Sequence, residues 1–290
     1  MRGLWVVVAA GAFGSAAAQA PHVSFSADVY PQLRYSPNGQ SQARLYNDFG
    51  EYSIFRLGIV LDNGWAVRLR QRLERIPGDA DNSSMDEAFL ENPGRWKAGK
   101  QYIPFGSGRM LRESAFGVQV ETEFDFASLP VVFGYFDSGR GKQSGFVARV
   151  GGSVGVSVAV GDHFGIAASS FTQLRLPEES PGRNRGYGLA VGIDVTRKFG
   201  GWTLGVEGIA LRRAASPLDL DTEVVDASLS YQFPYGPLVE GGATLETESG
   251  LVNLRLVSEM ALSQKLFLVP SVRHFEGRGW IIGVGARIRL

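Results

Sequence analysis

The sequence predicts an all-β fold, a transmembrane antiparallel β-barrel of about sixteen strands within a range of fourteen to eighteen. The first observation is alternation, which is clearest in residues 279–290, GWIIGVGARIRL. Side chains of a strand point in turn to its two faces, so this segment has one apolar face and one face of small residues, Ile281 and two arginines. The second observation is that long polar connections alternate with short turns. Lipid outside a barrel and water inside it explain the alternation of apolar and polar side chains. Outer-membrane barrels also have long loops at one end and short turns at the other.

The composition indicates one domain without thiol chemistry. The chain has 290 residues, no cysteine, and 29 basic against 29 acidic residues. The formal net charge of zero argues against a nucleic-acid-binding protein, which should be basic. The absence of cysteine excludes a disulfide framework. Because no linker between domains is visible, residues 21–290 are predicted to form a single barrel domain.

Residues 1–20 predict a secretory signal peptide. Arg2 precedes an apolar run, and small residues follow over Ser15–Ala20. Cleavage after Ala18 or after Ala20 satisfies the preference for small residues, although Pro21 would follow the second site. No other run approaches the ~20 apolar residues of a spanning helix, and only helices and closed barrels satisfy backbone polar groups in lipid. We therefore expect an exported, multi-pass barrel in the bacterial outer membrane.

Alternation predicts eight strands in the first part of the chain. Apolar residues occupy every second position, as in Phe55, Leu57 and Ile59, and arginines or carboxylates lie between them. Hairpin residues such as Asp62-Asn63-Gly64 separate the strands. The predicted strands are His22–Tyr35, Ser53–Leu61, Trp65–Glu74, Asp86–Glu91, Arg95–Ile103, Ala115–Ala127, Val131–Phe136 and Gly145–Val160.

The stretch Gly145–Val160 is open to two interpretations, one long strand or two strands joined at Gly151-Gly152. Its apolar residues share even numbers on both sides of the glycines, which favours one strand because a hairpin has no need to keep that pattern.

Eight further strands complete an even number, as single-chain bacterial barrels have. They are Phe164–Gln173, Tyr187–Phe199, Trp202–Arg212, Glu223–Phe233, Pro237–Thr247, Leu251–Leu262, Lys265–Phe275 and Gly279–Leu290. Odd-numbered connections, such as Ser36–Gly50, are then long and most even-numbered ones are short. The last strand is predicted to close the barrel beside His22–Tyr35. A soluble β-sandwich or solenoid is the alternative, but its outward faces should be polar.

Charged residues on the polar faces predict a lumen with a basic wall facing an acidic wall. A field across the lumen keeps a pore wet and orients dipolar solutes, and charged walls set ion selectivity. The predicted basic pore-lining residues are Arg34, Arg56, Arg68, Arg70, Arg72, Lys97, Arg255, Arg273, Arg287 and Arg289. The predicted acidic ones are Glu121, Glu123, Asp125, Glu207, Asp226, Glu240 and Glu246.

No residue constellation predicts catalysis, a metal site or a cofactor. The three histidines, His22, His163 and His274, lack metal-ligand spacing. Ser271 near His274 resembles a serine–histidine pair, and Glu121, Glu123 and Asp125 offer carboxylates at spacing two. An interfacial histidine and a hydrated lumen wall are the favoured interpretations of these two features.

Residues 96–106, WKAGKQYIPFG, resemble a strand of the phosphate-selective porin family (porin O/P-like), and the preceding DEAFL of residues 86–90 resembles the acidic-then-aromatic strand of that family. The resemblance implies a sixteen-stranded outer-membrane barrel, often a homotrimer, with basic residues along an anion path. The chain departs from the family in being short and in having arginines in place of a lysine-rich constriction.

These observations together predict a porin that passes small hydrophilic solutes or ions, including anions, by passive diffusion and has outer-membrane lipid as its surroundings. A plugged barrel with a structural or adhesion role and a barrel hydrolase are the alternatives. The loop Pro104–Ser114 is predicted to fold inward and narrow the pore, with Pro104, Phe105, Gly106, Arg109 and Arg112 as its candidate residues.

Overall fold

A computed structural model describes most of the chain after the predicted signal peptide. The described residues are 21–36, 39, 41–45, 53–61, 63–73, 85–108, 114–124, 129–137, 144–164, 187–213, 222–247, 250, 252–276 and 279–290. The predicted signal peptide, residues 1–20, and its cleavage sites lie outside them. No helix among the described residues is long and apolar enough to cross a membrane.

All regular structure in the described ranges is β-strand. The strands are β1 (His22–Val29), β2 (Gln32–Tyr35), β3 (Ser41–Arg44), β4 (Ile54–Val60), β5 (Ala66–Arg72), β6 (Met85–Asn92), β7 (Trp96–Tyr102), β8 (Ser114–Phe124), β9 (Leu129–Asp137), β10 (Ser144–Gly151), β11 (Val154–Phe164), β12 (Tyr187–Phe199), β13 (Trp202–Arg213), β14 (Thr222–Gln232), β15 (Leu238–Glu246), β16 (Val252–Ala261), β17 (Leu266–Phe275) and β18 (Gly279–Arg289).

These segments form one closed antiparallel sheet. From β4 to β18 each strand pairs with the next one along the chain, and β18 pairs with both β1 and β2. β1 and β2 are two parts of one barrel strand, and β3 and β4 are two parts of the second, because β2 pairs with β3 while β1 pairs with β4. The segments described therefore make sixteen barrel strands, and the predicted fold class is confirmed.

The barrel closes where the sequence predicts it. Arg289 lies opposite Asp28, and the backbones of Ala27 and Leu290 bond to each other in both directions at 3.1 and 2.8 Å. Farther along β18, Gly283 lies opposite Arg34 of β2. The predicted continuous strand 22–35 is broken at Tyr30-Pro31, and the predicted loop 36–50 contains β3. Both ends of the break are satisfied, since Tyr30 N–H donates to Ser53 Oγ at 2.7 Å and the Pro31 carbonyl accepts from Ala286 N–H at 2.9 Å.

The prediction of one long strand over Gly145–Val160 is wrong. A hairpin separates β10 from β11, with Val150 opposite Val156 and Gly151 at φ +113°. Opposite residues in this hairpin are both even or both odd in number, so the apolar face stays the same through the turn. The predicted strand Phe164–Gln173 is also wrong at its start, because Phe164 ends β11, and residues 165–173 lie outside the described ranges. The two errors cancel, which leaves sixteen strands with a short turn at 152–153.

The outer face of the barrel is apolar. On β18 the side chains of Trp280, Ile282 and Val284 are exposed, whereas Gly283 and Gly285, on the other face, are buried. Most described strands repeat this arrangement, and so large an exposed apolar surface is typical of a protein that meets lipid. Aromatic pairs lie beside the short turns, such as Trp65–Trp96 with ring centroids 5.0 Å apart, as in an interfacial belt.

Candidate functional site

A segment after β7 identifies the interior of the barrel. Residues 103–108, here called the inward segment, contact strands that are not their neighbours in the sheet. Phe105 is buried in an apolar cluster with side chains from six strands. The cluster contains Ile103, Phe105, Ala115, Val147, Ala159, Ala190, Ile209 and Val224. The strand faces that carry these cluster residues therefore point inward. Most buried polar residues of the same strands lie on the same faces.

Two predicted basic residues, Arg56 and Arg68, present their guanidinium groups to the interior. Arg56 Nη1 lies 2.7 Å from Asp28, and Arg68 Nε lies 2.8 Å from Glu91. The arginine side chains are 42 % and 40 % exposed, while the two carboxylates are 12 % and 11 % exposed. Each pair is neutral as a whole, but a solute reaches the cation first. The two arginines border a recess of about 350 Å³ with Ser24 and Ser26.

Arg70 and Arg72 share one carboxylate that sequence reasoning missed. The ladder between β5 and β6 has a bulge, which brings Asp86 between them at 3.1 Å from Arg70 Nε and 3.0 Å from Arg72 Nε. The Tyr102 hydroxyl also donates to Asp86, and Arg70 lies over the Tyr102 ring. Arg72 is buried together with Asp86, so its charge is largely screened from the interior.

Asp28 joins the predicted early and late arginines at the barrel seam. It accepts from Arg56 of β4 on one side and from Arg287 of β18 on the other, at 2.7 and 3.3 Å. Arg287 also reaches Glu259, and Arg289 lies within 4.0 Å of Asp28. Members of the predicted basic lining from the two ends of the chain therefore meet at the seam, with the carboxylates of Asp28 and Glu259 between them.

Arg255 is buried in a pair that spans two strands. It donates to both carboxylate oxygens of Asp226 at 2.7 and 2.9 Å, and the side chains are 2 % and 0 % exposed. The guanidinium crosses β15 over Gly242, where an added Cβ would lie 2.6 Å from it. Glu240 lies 3.8 Å from Arg255 Nε, and the buried Arg273 lies opposite Arg255.

Arg149 of β10, which the predicted lining omits, reaches Asp194 of β12 in the same way, across Gly155.

The remaining predicted residues are distributed around the interior. Lys97 Nζ lies 3.0 Å from Glu121 Oε1, and both side chains are partly exposed. Glu123 is exposed on the same face, Arg34 is half-buried, and Glu207 is fully buried against the inward segment. The residues Asp125, Arg109 and Arg112 and the side chain of Glu246 lie outside the described part of the chain.

The expectation of two separate walls needs correction. Carboxylates that the sequence did not assign to the lining, such as Asp86, Glu91 and Glu259, pair with arginines of the predicted basic wall. Strand register explains pairing between β5 and β6, because Glu87 is opposite Arg70, and Glu91 lies two positions from Phe89, the residue opposite Arg68, and so on the same face. What distinguishes this wall is the exposure of Arg56 and Arg68 over their carboxylates.

The serine–histidine pair that the sequence suggests does not assemble. Ser271 is buried on the inner face, where Gln32 donates to its hydroxyl at 3.2 Å, whereas His274 packs on Trp280 of the outer apolar row. Positions 271 and 274 are an odd number of residues apart, so their side chains lie on opposite faces of β17. Within the described ranges, no three histidine, cysteine or acidic residues are grouped to hold a metal ion.

Comparison with known proteins identifies the fold. No family model and no curated protein matches the sequence. Among solved structures, an anion-selective porin from Comamonas acidovorans is 12 % identical with a TM-score of 0.61, over 93 % of this chain and 100 % of that one. A loop-deletion mutant of OmpT, an outer membrane protein of Vibrio cholerae, is 14 % identical with a TM-score of 0.60, over 94 % and 100 %. A mutant of the Rh. blastica porin is 12 % identical with a TM-score of 0.58, over 93 % and 100 %.

The chain has the fold of bacterial outer-membrane porins. At these identities the likeness concerns the fold, and it leaves the solute to be argued from the interior of this barrel.

Proposed function

We propose that the protein is an outer-membrane porin through which small hydrophilic solutes and ions diffuse passively. In this proposal residues 1–20 direct export, cleavage follows Ala18 or Ala20, and residues 21–290 form one barrel in lipid. The apolar outer face and the charged inner face support a barrel in lipid, because charged groups are unfavourable in lipid and a large apolar surface is unfavourable in water.

The observation that carries the proposal is the unequal exposure of the interior ion pairs. Arg56 and Arg68 stand out above Asp28 and Glu91, so the accessible part of each pair is the cation. Two charges 4 Å apart interact by about 1 kcal/mol in water, and 0.15 M salt screens beyond about 8 Å. The paired arginines therefore give a modest preference for anions, and solutes pass without tight binding.

The resemblance of residues 96–106 to the phosphate-selective porin family supports the same ionic preference. We propose that any phosphate selectivity is weak, because lysines are scarce in this interior. A homotrimer is proposed by analogy with the Vibrio cholerae protein, which has a trimer form.

A plugged barrel is the second candidate. The apolar cluster around Phe105 fills part of the interior, and the Arg255–Asp226 pair is fully covered. If these groups close the lumen, the barrel has a structural role.

Purified, refolded protein in a planar lipid bilayer tests the choice. The porin proposal expects stepwise conductance that scales with salt, and liposomes containing the protein should swell in small sugars. The protein's folded state is checked by its heat-modifiable gel mobility. If folded protein shows no conductance, the plugged barrel is favoured.

A further inference from the structure

The phenyl ring of Phe105 packs the inward segment against one side of the barrel, in a space that a glycine leaves open. Phe105 lies over Gly192 of β12, where an added Cβ would be 2.7 Å from Phe105 Cε1. No side chain larger than glycine leaves room for this ring without displacement. The ring also packs in the apolar cluster with Ala190 and Ile209. An apolar pocket of this kind stabilises the segment on the β11–β13 side of the interior.

Two polar contacts follow directly after the ring. The Gly106 N–H donates to Ser157 Oγ of β11 at 2.8 Å, and the Ser107 hydroxyl donates to the Glu207 carboxylate of β13. Gly106 has φ +57°, and an added Cβ would lie 1.9 Å from Glu207 Oε1. Backbone conformation and close approach both require glycine here. Three successive residues of the segment thus meet three successive strands.

Glu207 is the central member of a row of buried carboxylates. Asp194 lies opposite it on β12 and Asp226 lies opposite it on β14. Arg149 and Arg255 pair with the two outer carboxylates, from strands farther away. The Glu207 carboxylate accepts the hydrogen bond from Ser107 of the segment, and a hydrogen bond to a carboxylate is about twice as strong as one between neutral groups.

We propose that Glu207 is a positioning residue that holds the inward segment on the β11–β13 wall and so sets the bore of the pore. The segment then lies on a different side of the barrel from Arg56 and Arg68, since the strand order separates β11–β13 from β4 and β5. This inference rests on the proposed function, because a bore has meaning only if the barrel conducts.

Three variants test the proposal in the full barrel. Ser107→Ala removes the donor, Glu207→Ala removes the acceptor, and Gly192→Val displaces the ring. Ser271→Ala is the control for the first, since it removes a hydroxyl elsewhere on the inner face. Gly208→Val is the control for the third, since an added Cβ at Gly208 meets nothing within 4 Å.

The first readout is hydrogen exchange of the Gly106 amide, which does not depend on conduction. Loss of a hydrogen bond to a charged group should raise the population of the detached segment, and so the exchange rate, about 10- to 100-fold. The second readout is single-channel recording with polymers of graded size. The variants should show more frequent conductance substates and a larger size limit than their controls.

Faster exchange together with a changed size limit supports the proposal. Exchange equal to that of the controls overturns it, and so does faster exchange with an unchanged size limit. If Glu207→Ala does not fold, Ser107→Ala decides, because it removes one partly exposed oxygen. A silent wild-type barrel would contradict the porin proposal and the bore role together, whereas a conducting wild type with unaltered variants would contradict this inference alone.

Discussion

Removing Arg255 should destabilise the barrel far more than removing an arginine of an exposed pair. Arg255→Met leaves the Asp226 carboxylate 0 % exposed and without its two hydrogen bonds from Arg255, of 2.7 and 2.9 Å. Breaking a buried ion pair by removing one partner typically costs about 3–5 kcal/mol, because the remaining charge is desolvated. Arg212→Met is the matched control, since Arg212 and Glu223 are 42 % and 46 % exposed although their charged atoms lie 2.6 Å apart. An exposed pair is worth about 0–1 kcal/mol.

The assay is equilibrium unfolding in urea, followed by tryptophan fluorescence, with folding into lipid vesicles checked by gel mobility. The double variant Arg255→Met/Asp226→Leu removes both charges and should recover much of the loss, since an apolar replacement of a buried pair is often neutral. Equal effects of Arg255→Met and Arg212→Met would refute the reasoning. So would a double variant as unstable as the single one, because the cost would then come from lost packing.

Three further outcomes are expected. Replacing Arg56 and Arg68 together by glutamine should shift the reversal potential in a salt gradient towards that of the cation. Arg72→Gln changes a buried side chain, so it should lower stability and shift the reversal potential less. A larger shift from Arg72→Gln would contradict the assigned exposures. Asp28→Asn should lower the unfolding free energy by about 2 kcal/mol, because Asp28 accepts hydrogen bonds from arginines on both sides of the seam. An unaltered urea midpoint would contradict a stabilising role for these bonds. Gly242→Val should destabilise the barrel because Arg255 lies across that glycine, while Gly241→Val, where an added Cβ meets nothing, should not; equal midpoints would contradict the crossing.

Face assignment was predictable from sequence because it depends on local periodicity alone. The alternation in residues 279–290 places Trp280 outside and Arg287 inside, as the structure has them. The same reasoning failed at Gly145–Val160, because a hairpin whose opposite residues share parity keeps the apolar face unchanged. Parity therefore determines a face and does not locate a turn.

Partners on the inner face depend on register, which the sequence leaves open. Asp86 reaches both Arg70 and Arg72 because of a bulge, and Asp226 meets Arg255 across an intervening strand. The sequence offered one signal, the carboxylates Glu87 and Glu91 on the strand that follows the arginine-rich strand. It did not give their partners, because the turn Asp62–Gly64 sets the register only of the two strands that it joins. The position of Phe105 depends on the space above Gly192 of β12, and four strands, β8 to β11, separate the two residues in the sequence, so no local pattern reveals their contact.

The most direct test of the porin account is the reversal potential of single wild-type channels in a tenfold gradient of potassium chloride. Exposed Arg56 and Arg68 predict stepwise conductance with a reversal potential displaced towards that of chloride, and a smaller displacement at higher total salt. Absence of conductance from folded protein, or a reversal potential on the potassium side, would contradict it.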